Sequence, residues 1–167
     1  MNRTIILNAV LFQIGWFACV LGGNQIAVPV TLAILIAHWF LVSKQIAEWR
    51  TIFLVALVGI IIDSGLFAAG VFNDGSERHI APLWLIGLWL LFATTLNHSF
   101  SWLHQRYVLA IVLGAISGPL SYLAGVKLGA VSFGIEQVSA LLLLALIWAV
   151  LFPVSLFVAT ANRSLAR

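Results

Sequence analysis

The stretch TIFLVALVGIIIDSGLFAAGVF, from Thr51 to Phe72, decides the fold, because it runs unbroken with only one charged side chain, Asp63. A helix crossing the hydrocarbon layer of a membrane needs roughly 20 mostly apolar residues, since each residue rises ~1.5 Å and the layer is ~30 Å thick. This stretch satisfies that requirement. The composition agrees with it: of 167 residues, 63% are hydrophobic and only 8% charged, and the mean hydropathy is +1.14. So little polar surface cannot coat a soluble globule, and the chain reads as a membrane protein.

Five more segments of similar character flank the first, giving six predicted spans: Thr4–Leu21, Ile26–Val42, Thr51–Phe72, Ile80–Asn97, Tyr107–Val126 and Val138–Ala161. None shows the sustained apolar/polar alternation of a membrane β-strand, which needs only about 10 residues. The expected fold is all-α, a polytopic bundle of six transmembrane helices. The connectors are too short to hold a second domain, so residues 1–167 form one six-helix unit.

Basic residues collect on the cytoplasmic side of membrane proteins. Arg3, Lys44, Arg50, Arg106, Arg163 and Arg167 fall on the side of the termini, and only Arg78 and Lys127 fall opposite. Both termini are therefore expected in the cytoplasm. The first span lacks a small-x-small cleavage pattern and reads as a mature helix rather than a signal peptide. The lone Cys19 excludes an intrachain disulfide and suits apolar packing. The net charge of +3 is explained by basic ends beside anionic headgroups and calls for no nucleic acid. Trp39, Trp49, Trp84, Trp102 and Tyr107 sit near span ends, as in an interfacial aromatic belt, while Trp16, Trp89 and Trp148 lie deeper and read as packing residues.

Asp63 is the exception in this apolar setting. A charged Asp at the bilayer centre costs about 2.5–3.5 kcal/mol on insertion scales, so it needs partners inside the bundle. Its helical face carries Ala56, Gly59, Phe67 and Gly70, mostly small residues that admit a neighbouring backbone. It is expected either to be neutral or to be paired with a protonated histidine or a bound cation. Candidate partners are Asn8 and Gln13 in the first span, His38 in the second and Thr94, Thr95, Asn97 and His98 in the fourth. The fifth span offers Ser117, Ser121 and Tyr122 beside Gly114, Gly118 and Pro119, where proline frees a carbonyl and predicts a kink. Asn8 and Gln13 lie about 140° apart on a helix and so address different neighbours.

Three functions fit these residues. The first is an intramembrane enzyme acting on a lipid-like molecule from the cytoplasmic leaflet. There Asp63, His38 and His98 would be the catalytic or ligating residues, and Asn8, Gln13, Thr95, Ser117, Ser121 and Tyr122 would contact substrate. Two imidazoles and a carboxylate could hold zinc or iron. The second is a proton- or cation-coupled transporter, or a substrate-binding subunit like the vitamin-binding subunits of energy-coupling uptake systems. The AxxxA coupling motif of those subunits is absent from the first span. The third is a structural accessory subunit of a larger membrane complex, which makes a partner subunit a further possibility.

NAVLFQIGW at Asn8–Trp16, Asp63, PLWLIGLWLLFATTLNHSFSWL at Pro82–Leu103 and GAISGPLSYLAG at Gly114–Gly125 together resemble a bacterial membrane family, the domain of unknown function 2878. The resemblance spans nearly the whole chain. It implies a small multi-pass protein of the bacterial inner membrane with no assigned activity. Its relatives' place beside fatty-acid-modifying enzymes implies lipid chemistry. It carries over no catalytic residue.

Overall fold

The computed structural model describes residues 3–76 and 79–164. Arg78 and Arg167, which enter the charge count above, lie outside the described residues. The described chain forms five helices, α1 (Arg3–Leu41), α2 (Ile46–Ala68), α3 (Leu83–Thr95), α4 (Tyr107–Lys127) and α5 (Gln137–Ser164). A 3₁₀ turn at Ser101–Leu103 follows α3. Two strands of two residues each, β1 (Phe72–Asn73) and β2 (Ser132–Phe133), pair antiparallel with Phe72 opposite Phe133. Asn73, Ser132 and Phe133 lie in predicted connectors, whereas Phe72 falls in the third predicted span, whose helix in fact ends at Ala68; the two strands tie the α2–α3 connector to the α4–α5 connector.

The long α1 is not a straight rod. At Gly23 the backbone takes φ 54° and ψ −162°, a conformation open in practice only to glycine. Cys19 Sγ then lies 3.7 Å from Thr31 Oγ1. Twelve residues along an unbroken helix would separate them by about 18 Å. The chain therefore reverses at Gly23, and the arms 3–22 and 24–41 pack side by side.

α1, α2, α4 and α5 are each long and apolar enough to cross a membrane. Large apolar side chains such as Phe17, Phe53, Ile61, Val112, Leu146 and Phe157 are exposed on their outer faces. Contiguous apolar surface of this kind suits contact with lipid rather than water. α3 is shorter, at 13 residues, and almost wholly buried; it packs on both α1 and α2. A helix apolar on all sides suits such a buried position.

Glycines let the aromatic core close. The Trp89 indole lies against Gly59 of α2, and the Trp148 indole against Gly118 of α4, where any Cβ would collide with the ring. Between them the two indoles stack, centroids 5.3 Å apart and planes 10° apart. Gly114 brings α4 onto the backbone carbonyl of Trp148, so the Gly114/Gly118 pair is the seam with α5. α4 stays helical through Pro119, so the proline does not break the helix in two.

Candidate functional site

At the end of the bundle where α2 begins, three elements bring ligating side chains together. His38 lies in the last turn of α1, Glu48 in the first turn of α2, and His98 just beyond the C-terminus of α3. Both imidazole Nε2 atoms address the same carboxylate oxygen: His38 Nε2 lies 2.8 Å and His98 Nε2 2.7 Å from Glu48 Oε1. All three ligand atoms fall within 4.8 Å of one another. His38 and Glu48 are buried at 1% and 5% exposure, whereas His98, at 15%, reaches the edge.

That edge opens on a polar cavity of about 330 Å³. Glu48 and His98 form part of its wall, together with Thr4, Gln45, Asn97, Ser101 and Arg163. Asn97 Oδ1 is buried and has no hydrogen-bond partner among the described residues. A buried acceptor left unpaired is costly, and it marks a place where a water or ligand donor completes the network. Arg163 adds positive charge, and it is felt by His104, whose ring Nε2 donates to the Leu96 carbonyl at 2.9 Å. Partial burial, reinforced by Arg163, holds His104 below the usual imidazole range, with the Leu96 carbonyl opposing in part.

The donor set fits a divalent transition metal. Two imidazoles and one carboxylate are ligands of catalytic zinc and of non-haem iron, both of which keep open positions for water or substrate. Bonds of ~2.0–2.2 Å to zinc place ligand atoms roughly 3.3–3.5 Å apart in a tetrahedron. Small outward shifts of side chains already converging on one point would make room for an ion. Such an ion would displace the N–H protons now shared with Glu48.

Asp63 does not join this cluster. It lies fifteen residues beyond Glu48 on α2, about 22 Å along the helix axis, toward the opposite end of the bundle. It is fully buried. Trp89 Nε1 donates to its Oδ2 at 2.6 Å, and the Tyr122 hydroxyl donates to the carboxylate at 2.8 and 3.0 Å. The single site expected around Asp63 and both histidines is thus two sites at different depths. On its expected face, Ala56, Gly59 and Phe67 are buried with Asp63, but Gly70 lies beyond the helix end at φ 71°.

The remaining predicted contact residues scatter. Asn8 is buried near the cluster end; its amide donates to the Thr94 carbonyl at 3.2 Å and its Oδ1 accepts from the Ser99 hydroxyl at 2.6 Å. Gln13 is exposed on the outer face of α1 rather than turned inward. Thr95 is buried and spends its hydroxyl on the Phe92 carbonyl. Ser117 is exposed and bonds Leu113 O within its own helix. Ser121 accepts from Trp16 Nε1 at 3.1 Å. Of these six, only Tyr122 touches an ionisable partner.

Glu48 and Trp89 are the residues that sequence reading missed. Glu48 fell in a connector between predicted spans, where a carboxylate reads as solvated; its helix in fact starts at Ile46 and carries it inside. Its spacing of ten residues from His38 across a tight turn was the available signal. Trp89 was read as packing alone, and its N–H proves to be a polar anchor for Asp63.

Apolar helices that carry exposed hydrocarbon outside and ligating and charged groups inside define a membrane protein. Within that class, the chain belongs to the family described as protein of unknown function (DUF2878), which matches residues 5–154. Neither a curated protein nor a solved structure matches the chain.

Proposed function

We propose that this protein is a metal-dependent enzyme of the bacterial inner membrane that acts on the polar end of an anionic, lipid-like molecule at the cytoplasmic face. The observation that carries this reading is the convergence of His38, Glu48 and His98 on one point at the wall of a polar cavity that also holds Arg163. His38, Glu48 and His98 would hold zinc or iron, which supplies Lewis-acid polarisation or an activated water when bound. Arg163 would pair with a phosphate or carboxylate of the substrate, and Asn97 Oδ1 would accept a hydrogen bond from it.

In this reading the chain crosses the membrane six times with both termini inside. The arms 3–22 and 24–41 would each cross once, at about 30 and 27 Å, and α3 would complete a crossing within the shelter of its neighbours. The charge distribution supports the orientation. Arg3, Lys44, Arg50, Arg106 and Arg163 occupy the end of the bundle that carries the cluster, and Lys127 lies at the other.

Metal analysis of purified protein tests the proposal, beside Glu48→Gln and His98→Ala. About one zinc or iron per folded wild-type chain is expected, with loss from both variants and a change in a co-purified or added anionic lipid that only the loaded wild type produces. Folded wild-type protein that takes up neither metal would refute it. A transport function remains the second reading, favoured by the burial of Asp63 away from any cationic side chain among the described residues.

A further inference from the structure

A second cavity, of about 80 Å³, lies between the first arm of α1 and α4. Phe12, Trp16 and Val20, spaced four residues apart on α1, form one wall, and Ser121 and Gly125 of α4 form the other. Leu85 of α3, itself buried, closes the bottom. α1 packs chiefly on α3 and α4 chiefly on α5, and the Trp16–Ser121 bond spans the cleft between them. Phe12, Trp16 and Ser121 are only half-buried, so the cleft is reached from outside the bundle. Phe17 of α1 and Leu120 of α4 are exposed on that outside, where the solvent is lipid.

The walls are apolar, and polar atoms on them are already engaged. Trp16 Nε1 donates to Ser121, while Trp89 Nε1 and the Tyr122 hydroxyl donate to Asp63. A polar head would find few partners here, and a void would leave the wall atoms without dispersion contacts. At ~10–15 Å³ for each water-sized group, the cavity holds about five to eight methylenes in a row.

Gly125 keeps this space open. It is buried in α4, yet a Cβ added there would meet nothing, whereas at Gly114 and Gly118 of the same helix it would collide with Trp148 and its neighbours. Glycine weakens a helix interior, and at Gly125 neither a close approach nor a positive φ requires it.

We propose that this cleft binds the end of one acyl chain of a membrane lipid, which enters sideways from the bilayer between α1 and α4. The site stands apart from the His38–Glu48–His98 cluster. The polar cavity there meets α1 at Thr4 and Ile5, and the bonds of Asn8 to Thr94 and Ser99 lie between the two spaces.

The test is tryptophan quenching by a brominated acyl chain, added as uncharged methyl dibromostearate to wild-type protein exchanged exhaustively into digitonin, whose rigid steroid is too bulky for the cleft. A saturable component is expected above the proportional quenching that partition into the micelle produces. Gly125→Leu, which fills the space, should remove that component. Gly125→Ala should weaken it by about fourfold, as one methylene's worth of burial is lost. Gly65→Leu, at an exposed glycine of α2 where a Cβ also meets nothing, should leave it unchanged. Strictly proportional quenching of the wild type overturns the proposal whatever the variants do, and so does a saturable component of unchanged affinity in Gly125→Leu. The ester cannot pair with Arg163 and no metal enters the readout, so either failure leaves the metal-site proposal standing.

Discussion

α2 buries two carboxylates fifteen residues apart, and they keep different company. Glu48 faces two imidazoles at the mouth of a polar cavity, while Asp63 faces an indole and a phenol deep in the aromatic core. Imidazole nitrogens can exchange a shared proton for a metal ion; an indole N–H can only donate. The first arrangement is open to chemistry, and the second fixes a carboxyl group in place. Burial alone therefore does not reveal what an intramembrane carboxylate is for, and the exchangeability of its partners does.

The largest expected effect breaks the structural side of this contrast. Asp63→Leu orphans the Trp89 N–H and the Tyr122 hydroxyl, at about 1–3 kcal/mol for each unsatisfied donor, so unfolding in mixed detergent should show a loss of about 2–6 kcal/mol. Asp63→Asn, which keeps an acceptor oxygen, should lose much less. Glu48→Gln sharpens the chemical side: zinc or iron affinity, measured by chelator competition, should fall by more than about 100-fold, since even residues that only support a metal ligand cost 10–100-fold. The stability of the metal-free protein should change little by comparison. A smaller loss is expected from Trp16→Phe, which removes the bond to Ser121 that bridges α1 and α4; thermal unfolding should register about 0.5–1.5 kcal/mol.

The smallest effect concerns pH. His104 has a folded-state pKa below its ordinary value, so its neutral form favours the fold. The stability it contributes is complete above pH 6.5 and is lost as the pH falls below that value. Between pH 7.5 and 5.5, wild-type Tm should drop slightly more than that of His104→Gln. An equal drop would mean that Arg163 and partial burial do not act on this ring.

The membrane helices were legible because hydropathy reports the solvent directly. The predicted fifth and sixth spans, Tyr107–Val126 and Val138–Ala161, nearly coincide with α4 and α5. The connector expected between the first two spans contains the Gly23 reversal. The start of α2 was misplaced because Ala47 and Glu48 owe their burial to neighbours distant in sequence. A helical wheel gave Asp63 an inward face, yet it carries no depth and no partner. The meeting of His38 with His98, sixty residues apart, belongs to packing around α3 and has no local trace. Gln13 turned outward because the inner side of its arm is taken up by the contacts of Asn8, Gly15 and Cys19.

If the chain crosses the membrane six times, Gly23 also decides which compartment each later loop enters. Without its positive φ, α1 would continue as a rod of 39 residues, about 58 Å long, nearly twice the ~30 Å hydrocarbon layer. In the six-crossing arrangement, losing that one reversal would thread every later helix in the opposite sense. His38, Glu48 and Arg163 would be carried to the far side of the membrane, against the pull of the basic residues that travel with them. In that arrangement, a residue with no side chain would act as a parity switch for the insertion of the whole chain.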